Sequence, residues 1–482
     1  MKMYSVVRKV ICGLVLTGIT TLASGFDYPI FKAIPNRNLY RTERTALYDW
    51  SGNPAFFRIA YHEDYNFYTA HYTRQTNRFH RQYDPQASND YQLHLLNIKQ
   101  ISERLTLCTT ISYQRLDQSR VFRSLEKEFY TAPFALSDTT SGNVSYDGPR
   151  IGFLYNCQIT ANCLAGIAVN YGVERGLKDV FTQCETIMRD IDLTGGLGLV
   201  RDNLELGVFG RYFNVQSKYE AVKYLQDALV NTWFGYHVYF PENPRATNRK
   251  NDNRMGYECG LQAALNDFLF EGLRLQMGIA RGAKSTEVTV GSVTIPNPRG
   301  YAVREGNRIV AGFDYWPAQA RYGIQLLYDN QIFTEWAEAN PYAVIVMENE
   351  VRQDQVRLCF QTVLRKTIRV ALGGELTYCH DDYREFILPF GYQEIRNGMQ
   401  GFGEVQLTIN PVLTCLLRGW YGRQEPYFYW NTAEFREWAV QCGFERLFVL
   451  GRFGLEGRYT VQRPSAGEKI NTALELFLTY RR

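Results

Sequence analysis

Arginine and glutamate recur on the polar phase of segments whose other phase is apolar. The basic set is Arg211, Arg274, Arg321, Arg357, Arg365, Arg369, Arg418 and Arg458; the acidic set is Glu205, Glu258, Glu375, Glu445, Glu456 and Glu475. Such groups form charge-assisted hydrogen bonds when a fold brings them to one surface. In a water-filled lumen they stay solvated, whereas at mid-depth in lipid a basic side chain costs about 2–4 kcal/mol. Opposed rows across a pore would order water and favour polar solutes. The same residues, paired with one another, would also fill a closed interior.

Enzyme chemistry finds little support. His62, His71 and His80 are evenly spaced but fall on different segments. His380-Asp381-Asp382, beside Arg384 and Glu385, reads as a polar loop start where a strand ends. The chain has no GxSxG nucleophile, P-loop, GxGxxG or HExxH, so no catalytic residue, metal site or cofactor is expected.

Strands must hold these charges. Leu474, Leu476, Leu478 and Tyr480 fall on one phase of the C-terminal segment, opposite Glu475, Thr479 and Arg481. Leu204, Leu206 and Val208 oppose Glu205 and Arg211 likewise, as Ile368, Val370 and Leu372 oppose Arg369 and Glu375. A strand alternates its side chains between two faces, so each segment has one apolar and one wet side. Candidate strands fall near 55–64, 66–76, 90–101, 104–115, 149–159, 163–174, 187–199, 203–214, 255–266, 271–281, 307–316, 320–331, 355–365, 367–379, 399–409, 412–423, 437–446, 452–462 and 471–481. An all-β antiparallel transmembrane barrel of about 16–18 strands follows, since single-chain bacterial barrels have even strand numbers. Polar excursions at 116–148, 215–254, 282–306, 332–354, 380–398 and 424–436 would be the long loops of one rim. Within 215–254, Tyr219, Val222, Leu225, Leu229 and Trp233 share one face of a helix that would cap the rim or narrow the mouth.

Composition agrees. Of 482 residues, 15% are aromatic, yet mean hydropathy is −0.31, because the wet faces cancel the apolar ones in any window. With 53 basic and 49 acidic residues the net charge is +4, and no basic block suggests nucleic acid. Residues 1–25 read as a cleaved signal peptide, with basic Lys2, Arg8 and Lys9, apolar Val10–Leu22 and small Ala23-Ser24-Gly25. Residues 26–53 form an extended segment and 54–482 the barrel. Cys259, Cys415 and Cys442 fall on apolar faces as small hydrophobes. Cys157 and Cys163 flank a turn, either bridged or both reduced.

Asn53-Pro54-Ala55, placed after a non-strand segment and before the first strands, resembles the NPA box of the FadL-like outer-membrane proteins. That resemblance implies that 26–53 folds inside the barrel as a plug and that hydrophobic molecules are carried inward. The C-terminal strand resembles the signal read by the barrel-assembly machinery, although it ends in Arg481-Arg482 rather than an aromatic residue. Outer-membrane lipid and that machinery are the expected partners. The residues themselves point to an outer-membrane channel for diffusion or uptake of small solutes. FadL-like transport, or a closed barrel with a structural or assembly role in the envelope, are the alternatives.

Overall fold

Apolar and aromatic residues that alternate with polar ones favour an extended, pleated backbone, and 18 such segments pair edge to edge in the computed structural model. It describes Tyr48, residues 52–60 and, with short gaps of which 425–434 is the longest, residues 64–481. The expected signal peptide, most of 26–51, His62 and His80 lie outside the described residues.

In chain order the strands begin with β1 (Tyr65–Thr76), β2 (Ala87–Ser102), β3 (Leu105–Val121), β4 (Phe134–Ser137), β5 (Gly142–Gln158), β6 (Cys163–Lys178) and β7 (Gln183–Arg201). There follow β8 (Leu204–Lys223), β9 (Val230–Phe234), β10 (Val238–Glu242), β11 (Arg249–Asn266), β12 (Leu273–Gly291), β13 (Pro296–Tyr315) and β14 (Tyr322–Ala339). The last are β15 (Val344–Arg365), β16 (Ile368–Glu385), β17 (Phe390–Asn410), β18 (Leu413–Gln424), β19 (Phe435–Phe448), β20 (Gly451–Pro464) and β21 (Asn471–Arg481). All but β4, β9 and β10 form the wall. Each wall strand runs antiparallel to its neighbours, and β21 returns to β1 with Leu476 opposite Tyr72. Closure leaves no free sheet edge, the condition for spanning hydrocarbon.

The outer face is apolar. Leu261 is 61% exposed, Leu417 54% and Leu478 55%, on the same phase as dozens of other Leu, Ile, Val and Tyr side chains. A continuous belt of this kind has no place in water and matches the lipid-facing band of an outer-membrane barrel. Aromatic rings cluster at the belt's lower edge, with Phe453 and Tyr480 4.6 Å apart and Phe270 and Tyr315 5.3 Å apart. Amphipathic rings settle at that interface. The protein is therefore an all-β barrel of the cell outer membrane. Tight turns such as Arg201–Leu204 and Asn410–Leu413 mark its periplasmic rim, and the longer connections mark the opposite one.

Several sequence expectations are corrected. The strand expected over 55–64 is not found at its described start: Pro54–Phe56 is a 3-10 turn that continues as the short helix α1 (Phe57–Ala60). Asn53 caps it, its side chain accepting from the Ala55 N–H at 3.0 Å, and Pro54 supplies the helical φ at the first position. The anticipated helix in 215–254 does not form. Tyr219 and Val222 are extended in β8 and Trp233 in β9, while Leu225 and Leu229 fall outside the described residues. His380-Asp381-Asp382 lies within β16, not at a loop entrance. Most of the supposed long loops are strand. β15 runs for 22 residues, about twice what a tilted strand needs to cross the membrane, so the wall projects well beyond the lipid. Cys157 and Cys163 are both free thiols.

Candidate functional site

The barrel interior is the site, and two inserts occupy part of it. The first is the segment around the 3-10 turn. Asn53, Pro54, Ala55, Phe56 and Phe57 are all buried, against inward side chains of β1, β2, β5 and β6 that include Phe67, Leu96, Ile98, Leu154 and Leu164. Tyr48 meets Phe57 edge to face at 5.1 Å. The wall makes room with glycine: a Cβ at Gly196 would sit 1.8 Å from Asn53 Oδ1, and one at Gly166 2.4 Å from the Pro54 carbonyl carbon. Polar anchors fix the seat. Asn156 donates to the carbonyls of Pro54 and Ala55, and Asn53 donates to the Val208 carbonyl at 3.3 Å.

The second insert is the connection from β3 to β5, at the outer rim. β4 pairs with β9 and β9 with β10 in a small separate sheet. Phe134 of β4 reaches across to Val288 and Val290 of β12, Ala302 of β13 and Met347 of β15, where Gly300 leaves space for its ring. Because these partners face inward on several strands, the insert lies inside the mouth. Two buried wall lysines hold it. Lys250 Nζ donates to Glu126 Oε1 at 2.6 Å, to the Phe134 carbonyl at 2.9 Å and to Asp252 at 3.0 Å. Lys178 Nζ donates to Asp138 at 2.8 Å and to the Thr140 carbonyl at 2.8 Å. Burial pushes the Glu126 carboxyl up to about 7, against the pull of the Lys250 ammonium.

Around the remaining interior, charges pair between neighbouring strands. Arg211 binds Asp192 and lies 3.8 Å from Glu258, and Arg274 forms a bidentate pair with Glu205 at 2.9 and 3.0 Å. Arg357 meets Glu375 at 2.8 Å, Arg418 meets Glu404 at 2.6 Å, Gln441 donates to Glu456 at 2.7 Å, and Arg458 lies 3.3 Å from Glu475. Arg308 and Asp329 form a further pair. Arg321, Arg365 and Arg369 do not join this set; they are exposed at the periplasmic turns, where the strands begin and end. Glu445 meets Arg452 near the same rim. Sequence reading missed Asp192, Arg308, Glu404 and both anchoring lysines. Asp192 and Glu404 do fall on the wet phase of their strands, a signal available beforehand; Lys178 and Lys250 lie where both phases are polar.

Exposure varies around the wall. Side chains of Arg211, Glu258, Glu205 and Arg274 are 2–6% exposed, beneath or beside the inserts, whereas Arg357, Glu375, Arg458 and Glu475 are 17–24% exposed. Arg418 and Glu404 are 8% and 13% exposed, and Arg150 and Asp190, on β5 and β7, 43% and 20%. Among the described residues no His/Cys/Asp/Glu group is set to hold a metal.

Comparison with solved structures returns barrels of low identity. BauA, the ferric preacinetobactin receptor from Acinetobacter baumannii, is 10% identical, with 87% of this chain and 80% of that chain covered and a TM-score of 0.46. The siderophore receptor PiuA from Acinetobacter baumannii is 7% identical, with 87% and 82% covered and a TM-score of 0.46. The P. putida toluene transporter TodX is 11% identical, with 89% and 92% covered and a TM-score of 0.32. No curated protein matches by sequence. Residues 54–409, from the capped turn through most of the wall, match one family along the chain, and the protein belongs to that family, DUF6850, a family of unknown function.

Proposed function

We propose that the barrel conducts small polar solutes across the outer membrane along the arc formed by β15–β21 and β1, with the two inserts narrowing the path. The observation that carries this reading is the matched charge pairs Arg357–Glu375 and Arg458–Glu475, which stay 17–24% exposed on the inward face of this arc. The pairs of Arg211 and Arg274, near the inserts, are covered. Selectivity would come from pore width and from the donors and acceptors along the arc. FadL-like carriage of apolar ligands would need an apolar pocket next to the plug. The apolar cluster there is already filled by Phe56 and Phe57, which are 0% and 1% exposed.

Planar-bilayer recording of the refolded chain tests the reading. Ohmic current with weak ion preference supports it. Silence that is relieved by deleting residues 26–60 indicates a plug that must be displaced, and silence from both forms rejects conduction in favour of a closed structural barrel.

A further inference from the structure

We infer that the open arc recognises neutral polyhydroxylated solutes, carbohydrates in chemical class; this rests on the conduit reading above. Aromatic rings and polar groups form a strip across the six adjacent strands β17, β18, β19, β20, β21 and β1. Phe402 of β17 stands opposite Trp420 of β18. The Arg458 guanidinium of β20 lies 4.1 Å from the centre of the Trp420 ring and 3.3 Å from Glu475 of β21. Glu475 lies 3.7 Å from His71 of β1, whose ring stacks on Phe477 at 4.1 Å. All these side chains share the inward phase of their strands with Glu404, Arg418 and Gln441.

A sugar ring offers two apolar C–H faces and a belt of hydroxyls that both donate and accept. Flat aromatic rings suit the faces, guanidinium groups donate to the belt, and carboxylates accept from it. On this arc three inward arginines are each matched by a Glu on the next strand, at Arg357–Glu375, Arg418–Glu404 and Arg458–Glu475. Matched charges leave donors and acceptors in place but cancel most of the field that would select one sign of ion. An apolar ligand would strand those charges without water, at a cost no ring contact offsets.

The test uses maltotriose as a neutral probe in two independent measurements on the refolded chain. In a planar bilayer, maltotriose reduces the ion current reversibly. Trp420→Ala weakens that block, taken as a fraction of the variant's own sugar-free current, roughly threefold to tenfold, the worth of one aromatic contact. Trp420→Phe retains the block, and Phe402→Leu repeats the loss at the facing position should the alanine variant fail to fold. In detergent, saturable quenching of tryptophan fluorescence by maltotriose is lost in Trp420→Phe. Current that ignores maltotriose, with no quenching, overturns the inference and leaves the conduit standing. Absence of current with saturable quenching supports recognition and rejects the conduit. A block equally strong in Trp420→Ala and Phe402→Leu also overturns the inference.

Discussion

The side-chain amide of Asn156 donates to two successive carbonyls, those of Pro54 and Ala55, at 2.7 Å each. Both acceptors belong to a turn held inside the barrel, so one wall residue ties two successive backbone groups of the turn to the sheet, the Pro54 carbonyl also accepting from the Phe57 N–H. Asn156→Ala should remove both anchoring bonds and loosen the turn, at about 0.5–1.5 kcal/mol for each bond lost. Gly196→Val should act more strongly, because the new side chain takes the space of the Asn53 carboxamide. Both variants are expected to raise the bilayer conductance, with Gly196→Val the larger, while cold SDS-PAGE mobility still reports a folded barrel.

Removing Lys250 should release the outer insert. Lys250→Met deprives Glu126 and Asp252 of their shared ammonium, and breaking a buried pair from one side costs roughly 3–5 kcal/mol. Protease cleavage within 122–141 should accelerate in Lys250→Met and slow again in Lys250→Met/Glu126→Leu, where the insert's own stranded carboxyl is also gone. Equal cleavage rates in all three proteins would show that the lysine is not the anchor.

Docking of that insert should depend on pH. The Glu126 carboxyl, raised by burial to about 7 from 4.5, holds more protons docked than solvated between those values. Docking therefore weakens as pH rises from about 4.5 to about 7 and is strongest at the acid end. Cleavage within 122–141 should be faster at about pH 8 than at about pH 5, and Glu126→Gln should flatten the difference. A pH dependence that persists in Glu126→Gln would assign it to another group.

Charge on the outer belt should be penalised. Leu261→Arg places a guanidinium at a position that is 61% exposed toward lipid. The expected loss is about 2–4 kcal/mol near the midplane, measured by reversible urea unfolding in vesicles. Gln262→Arg, one residue along and inward, should not show the same dependence on bilayer thickness.

The membrane-crossing part of the wall was legible because lipid and water enforce a strict two-residue period there. Leu474 to Tyr480 and Leu204 to Val208 mark their strands without help from tertiary structure. Beyond the lipid the period disappears. Residues 344–354 of β15 face water or the insert on both sides, so their polar run reads as loop although it is strand. Pro54–Ala60 failed for the opposite reason: its short apolar run looked like the start of a strand, and only the Asn-Pro start signals a helical turn. The seat for that turn was invisible, since Gly166 and Gly196 gain meaning only when the facing backbone is known. The wet-phase arginines were visible as a class. Which of them lay in the lumen and which at the rim depended on strand ends: Arg458 is deep, while Arg321, Arg365 and Arg369 sit at turns.

The turn at Pro54 leans on β5, β6 and β7, strands made early in the chain, well before β21 completes the seam with β1. A cork seated there can therefore settle while the sheet is still an open ribbon, and the last strands then wrap a cylinder around it. Threading it afterwards through a finished hole would be unnecessary, and vessel and stopper would be completed in a single act of biogenesis.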